Sequence, residues 1–283
     1  RDLCLWPCLR MPVTTQPRTS PYGTWDSPIT PRTVAEQGVR LGFVALDGDD
    51  VYWLEGRPRE GGRNVLVRRG ADGTTVDVTP REHNVRTRVH EYGGGAFLVA
   101  DSVVYYSNFA DQRIYRIRLA AGVPEPITPP GDWFYADAAI DSRRRRLICV
   151  REDHTQPGRE PVTTLVAIAL DEEPGPGISA QGSGIQDRGS ERGYSTAVNQ
   201  DSPASAGEII ASGADFYSTP RVSADGTKLA WLEWRHPRMP WDGTELWVAE
   251  IAADGTLANA ALVAGAPLES IYQPGWSPDG ALY

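Results

Sequence analysis

At 283 residues with 40% hydrophobic side chains, the chain is long enough to build one large core or two ordinary ones. Its 28 Lys and Arg against 37 Asp and Glu leave a net charge of -9, opposite to the basic footprint that a phosphate backbone selects, so nucleic acid is not an expected partner. No apolar run approaches the roughly 18 residues that a membrane span requires, no membrane partner is expected, and the chain reads as soluble and cytoplasmic.

The opening "RDLCLWPCLR" has too short an apolar centre for a signal peptide, and "MPVTTQPRTSPYGTWDSPIT" from Met11 reads as a natural polar N-terminus. Residues 1–21 are expected to be a disordered extension. The best helical candidate is "TPRTVAEQG", residues 30–38, with an N-cap and a glycine stop but barely two turns.

From residue 44 onward one pattern recurs. "VALDGDDVYWLEG", "FLVADSVVYYSN", "AAIDSRRRRLICVRE", "VSADGTKLAWLEW" and "WSPDGALY" each place a short strand, a turn built on Asp with Gly or Ser, and a second strand rich in aromatic and β-branched residues. Asp caps such a turn through its side chain and Gly accepts positive φ, so each copy predicts a hairpin.

Four hairpins are followed by a third apolar segment ("NVLVRR", "IYRIRL", "TLVAIAL", "ELWVAEI") and a weaker fourth ("TVDVTP", "PEPITP", "EIIASG", "AALVAGAP"). The second strands begin at Val51, Val103, Leu147, Leu229 and Leu282, at intervals of 52, 44, 82 and 53 residues. The long interval holds a Gly, Ser and Pro-rich insert, residues 172–207, which cannot bury enough apolar area to order itself. Without it the period fits four-stranded propeller blades, and the fold expected is an all-β propeller of antiparallel blades over residues 22–283: four blades and the opening hairpin of a fifth. A β-sandwich would leave the repeat unexplained. Because the sequence stops at Tyr283 inside a strand, the propeller is expected to be incomplete and the chain a fragment.

The residues "YGTWDSPIT", "GDDVYWLEGRPREGGRNVLV", "RVHEYGGGAF", "VREDH" and "HPRMPWDGTELW" together resemble the N-terminal propeller of prolyl oligopeptidase family serine peptidases. Within that family the likeness is to acylaminoacyl-peptidase and dipeptidyl-aminopeptidase-like enzymes, while the "SADG" and "SPDG" turns are similar to those of TolB-type propellers. The resemblance implies an α/β-hydrolase domain after the propeller in the same parent chain, carrying Ser, Asp and His and cleaving short peptides. That domain is absent here: no G-x-S-x-G elbow occurs, and Ser183, in "GSG", sits in the insert as a linker residue. None of His83, His90, His154 and His236 pairs with a plausible Ser and carboxylate. The chain alone is expected to be inactive, its role being to gate access to the catalytic domain. The alternative is a stand-alone propeller that binds peptides or proteins, and an enzyme with its site inside the propeller would need axial carboxylates or metal ligands that the pattern does not supply.

Six residues are candidates for gating or domain contact. Arg86, Arg88, His90 and Glu91 precede three glycines; the glycines let the backbone pass close to a neighbouring strand, and the charges are placed to line a mouth and orient a peptide terminus. His236 and Trp241 belong to "WRHPRMPWDGT", a loop more elaborate than a hairpin needs. Asp242 is read as a turn cap, and residues 143–146, four arginines at a hairpin tip, as solvated surface. Neither metal nor cofactor is expected: Asp47, Asp49 and Asp50 lack the pattern of a calcium hand, and Cys4, Cys8 and Cys149 form neither a disulfide framework nor a zinc site.

Overall fold

A segment such as "RLICVRED" carries apolar side chains at successive positions, and because side chains alternate along a strand it is satisfied only when both faces are covered. Stacked sheets provide this cover. The computed structural model describes residues 19, 21–24, 29–33, 38–170 and 205–283, and residues 39–283 form one unit that holds all the described strands. Cys4, Cys8, Ser183 and most of the residue 172–207 insert lie outside the described residues, as does nearly all of the expected N-terminal extension.

Four sheets follow one another, each of four antiparallel strands in sequence order. Blade 1 is β1 (Arg40–Asp47), β2 (Asp50–Arg57), β3 (Arg63–Arg69) and β4 (Thr75–Asp77); blade 2 is β5 (Phe97–Ala100), β6 (Val103–Ser107), β7 (Ile114–Arg118) and β8 (Pro124–Pro126). Blade 3 is β9 (Trp133–Asp141), β10 (Arg146–Asp153), β11 (Val162–Ala169) and β12 (Glu208–Ala211); blade 4 is β13 (Phe216–Val222), β14 (Lys228–Trp234), β15 (Glu245–Ile251) and β16 (Leu257–Ala264). This is an antiparallel propeller architecture, and the 172–207 insert falls between β11 and β12. Its last residues are docked: Ala206 O accepts from Tyr135 Oη at 3.1 Å and from Arg151 Nη1 at 3.2 Å. Near the other end, residues 31–33 are helical, with Thr33 N bonded to the Thr30 hydroxyl at 3.0 Å, while residues 34–37 of the expected helix lie outside the described residues.

The core is a series of seams between blades. Tyr52, Leu54 and Leu66 of blade 1 meet Val99, Val104 and Tyr106 of blade 2. On β10 alternation sends Leu147 and Cys149 into the seam with blade 2, and Ile148 and Val150 into the seam with blade 4, against Leu229, Trp231 and Ile251. Burial pushes the Cys149 thiol up to about 12, so it stays protonated. Beyond blade 4, Trp276 bridges to Leu282 in a short hairpin packed on Leu232 and Leu246. On β1 the side chains that point away from blade 2 include Val44 and Leu46, 73% and 70% exposed.

Polar latches join hairpin tips along one rim. The Asp47 carboxylate accepts from the backbone of Asp101 and Ser102, at 3.2 and 2.7 Å, two residues held at positive φ in the next blade's turn. The arginine run at 143–146 differs from its reading as solvated surface. Arg143 and Arg145 are exposed, but Arg144 donates to the carbonyls of Gly226, Ile251 and Ala252 at 2.8–3.0 Å, and buried Arg146 donates to Gly255 O and to fully buried Asp141. Alternate residues of the run thus tie blade 3 to the turns of blade 4. Arg144→Ala should lower the unfolding free energy by about 2 kcal/mol in urea titration, since charge-assisted bonds to three carbonyls are lost together; an unchanged midpoint would mean that water replaces the guanidinium at no cost.

Candidate functional site

In each blade the first strand starts, and the second strand ends, at the same edge: Phe216 pairs with Trp234, and Trp133 with Asp153. Loops entering a blade and loops joining its second and third strands therefore collect on one face, opposite the hairpin tips. The segment 84–95 runs along this face. Asn84 N donates to Asn108 Oδ1, Arg86 N to Ser107 O and Arg88 N to Gln112 Oε1, which fastens the segment to blade 2.

At its centre the chain makes a tight turn. His90 and Glu91 are both left-handed, with φ of 56° and 62°, a conformation costly for residues with a Cβ. Bonds from Glu91 N to Arg88 O and from Gly93 N to Val89 O close the turn. His90 N donates 2.6 Å to Oε1 of Glu152 at the end of β10, whose other oxygen lies 3.1 Å from His154 Nε2. The His90 ring sits among Tyr92, Phe216 and Trp234 at centroid distances of 5.7, 5.6 and 5.2 Å, and Phe216 extends the cluster to His236 at 4.9 Å. Nε2 of His90 is buried with no hydrogen-bond partner. One turn thus touches blades 3 and 4.

Enclosure sets the charges here. Burial lowers His90 to about 4, so the ring is neutral at physiological pH. The Glu152 carboxyl is pushed up by burial, against the pull of the His90 N–H and His154. Asp137, left-handed within β9, accepts from Gly95 N and from Thr219 N; its carboxyl is enclosed although the residue keeps some surface, and burial raises it while the two N–H groups and nearby Arg221 oppose.

The sequence candidates separate into groups. Arg86 and Arg88 are exposed and both guanidiniums cover the ring of Phe109, at 4.8 and 4.5 Å from its centroid. Glu91 is exposed beside them, whereas His90 is wedged inside. His236 joins His90 through Phe216, and its N–H donates to Asp215 Oδ2 at 2.9 Å. Trp241 is 66% exposed further along the same loop, and no hydrogen bond or ring contact joins it to His90. Asp242 closes its turn by accepting from Met239 N at 3.0 Å. Beside Arg86 and Tyr92 an open cavity of about 430 Å³ extends under Phe43 and Leu54, between blade 1 and the segment 85–96.

Glu152, Asp137 and Phe216 were not singled out by sequence reasoning. Glu152 had a usable signal: it shares a strand face with Ile148 and Val150, so alternation points a carboxylate toward the core. Asp137 had none, because its left-handed backbone breaks the alternation. Among the described residues no group of three His, Cys, Asp or Glu is placed to hold a metal ion, and no helix is long and apolar enough to cross a membrane.

No protein-family model matches the chain, and no curated protein does. Among solved structures it is similar to puromycin hydrolase complexed with PGG, at 34% identity and a TM-score of 0.76 over 93% of this chain. It is similar to a Mycobacterium tuberculosis puromycin-hydrolyzing peptidase at 34% identity and a TM-score of 0.75 over 94% of this chain. The chain spans 38% of the length of each of these two. A putative TolB from Agrobacterium tumefaciens, 15% identical, matches 83% of this chain and 69% of its own with a TM-score of 0.52, a likeness of fold alone.

Proposed function

On the premise that this chain resembles the propeller part of prolyl oligopeptidase family serine peptidases, as its likeness to two puromycin-hydrolysing enzymes indicates, we propose that it serves a cytosolic peptidase acting on short peptides. In this reading the propeller covers an α/β-hydrolase domain of the same parent chain and admits small or unfolded peptides, with aminoacyl or N-acyl-aminoacyl substrates as the class to try first. Arg86, Arg88 and Glu91 offer charges of both signs at the loop face, where a peptide terminus would be oriented, while His90 and Glu152 hold the turn that presents them.

The observation that carries the reading is the 34% identity over 93% of the chain, joined to a loop face whose charged residues stand on and beside a hydrogen-bonded turn. The nucleophile, base and oxyanion hole of acyl transfer would come from outside these 283 residues. The test compares the 283-residue chain with a polypeptide extended to the natural stop of its gene, on chromogenic aminoacyl and N-acyl-aminoacyl substrates. Activity confined to the longer protein is the expected result. Activity in neither would favour a binding module, and activity in the short chain would reveal a nucleophile among its own residues.

A further inference from the structure

Both oxygens of Asp137 are committed to different blades. Oδ1 accepts from Gly95 N at the entry to β5, and Oδ2 accepts from Thr219 N in β13 at 3.2 Å. The backbone of Asp137 returns the first contact, its N–H donating to Gly95 O at 2.8 Å. Three consecutive blades therefore meet at one carboxylate.

The backbone is shaped for this meeting. Asp137 and Thr219 are left-handed, with φ of 53° and 52°, and each lies where the first strand of its blade slips register against the second, so each N–H leaves its own ladder and faces the neighbouring blade. Gly95 has ordinary φ, yet a Cβ there would stand 2.6 Å from Asp137 Oδ1. The missing methyl is the space that the carboxylate occupies. Arg221 is the charged side chain that faces Asp137 from β13.

We propose that Asp137 is a coupling clasp: because one rigid carboxylate is shared, a disturbance in the seam between blades 2 and 3 passes to the seam between blades 3 and 4. A carboxylate pushed off its donor on one side also tilts away from its donor on the other, so a disturbance that loosens one seam loosens the other as well. The first strands of blades 2 to 4 thereby behave as one unit.

The test is amide hydrogen exchange on the whole chain, wild type against Gly95→Ala. The new methyl displaces Oδ1, and exchange at the Thr219 amide, across blade 3 from the substitution, should accelerate at least tenfold, while the Ser223 amide, bonded within blade 4 to Lys228 O, keeps its rate. Asp137→Asn, which leaves one acceptor oxygen and sets an NH2 group against the other donor, should accelerate both the Gly95 and the Thr219 amides by a similar factor and serves if the first variant does not fold. Unchanged protection at Thr219 in a folded Gly95→Ala protein, or at either of the two amides in Asp137→Asn, would overturn the proposal. Neither outcome bears on peptidase activity.

Discussion

Replacing Glu152 by alanine is expected to lower the unfolding free energy by about 2–3 kcal/mol, the cost of leaving the His90 N–H buried without its acceptor and His154 without its carboxylate. Glu152→Gln should cost below about 1 kcal/mol near neutral pH, because an amide oxygen still accepts from His90 N. The contrast separates loss of an acceptor from loss of a charge. Urea titration of both variants measures it, and exchange at the His90 amide reports whether the turn itself has loosened. Equal stability of Glu152→Ala and wild type would mean that the bonds of the turn, Glu91 N to Arg88 O and Gly93 N to Val89 O, hold it unaided.

Acidification should destabilise the fold through His90. Its folded value of about 4 lies below the ordinary 6.5, so between these the unfolded chain takes up a proton that the folded one refuses. This contribution is complete above pH 6.5, declines as pH falls, and levels off near 4; the interval corresponds to about 3 kcal/mol at most. Glu152 and Asp137 act in the opposite sense: carboxyls raised in the fold bind their proton more tightly there, so acid titration of these two adds stability. The His90 part is isolated by His90→Phe, which places an untitratable ring among Tyr92, Phe216 and Trp234. Stability curves of wild type and variant should keep a constant offset above about pH 7 and diverge in favour of the variant by about 2–3 kcal/mol near pH 4. A constant offset throughout would show that the His90 ring is solvated and titrates normally.

Of the loop face, the sequence disclosed its exposed members and concealed its support. Arg86, Arg88 and Glu91 stand out as charges beside a glycine run, and His236 as a histidine in a proline-rich loop. What holds them is distant in sequence: Glu152 lies 62 residues from His90, and Phe216 and Trp234 belong to a blade two steps further on. No local pattern links them. The arginine run shows the same limit, since a charged tip looks solvated until the next blade places the carbonyls of Gly226, Ile251 and Ala252 against Arg144.

The blade as a unit is a local affair, and the sequence determined it. Hairpin turns of Asp with Gly or Ser, alternating or continuous apolar strands, and a period near 50 residues fix the four-stranded antiparallel sheet, because hydrogen-bonded neighbours are also neighbours in the chain. The contacts between blades were decided only by tertiary structure. At the turn, the clasp and the arginine run they include bonds between residues 42 to 107 positions apart, through left-handed backbone at Asp137 and Thr219 and through side chains such as Arg144 and Glu152, whose partners exist only once two finished sheets lie face to face. Backbone pairing is written in short-range pattern; burial of a charge depends on what the rest of the chain brings to cover it.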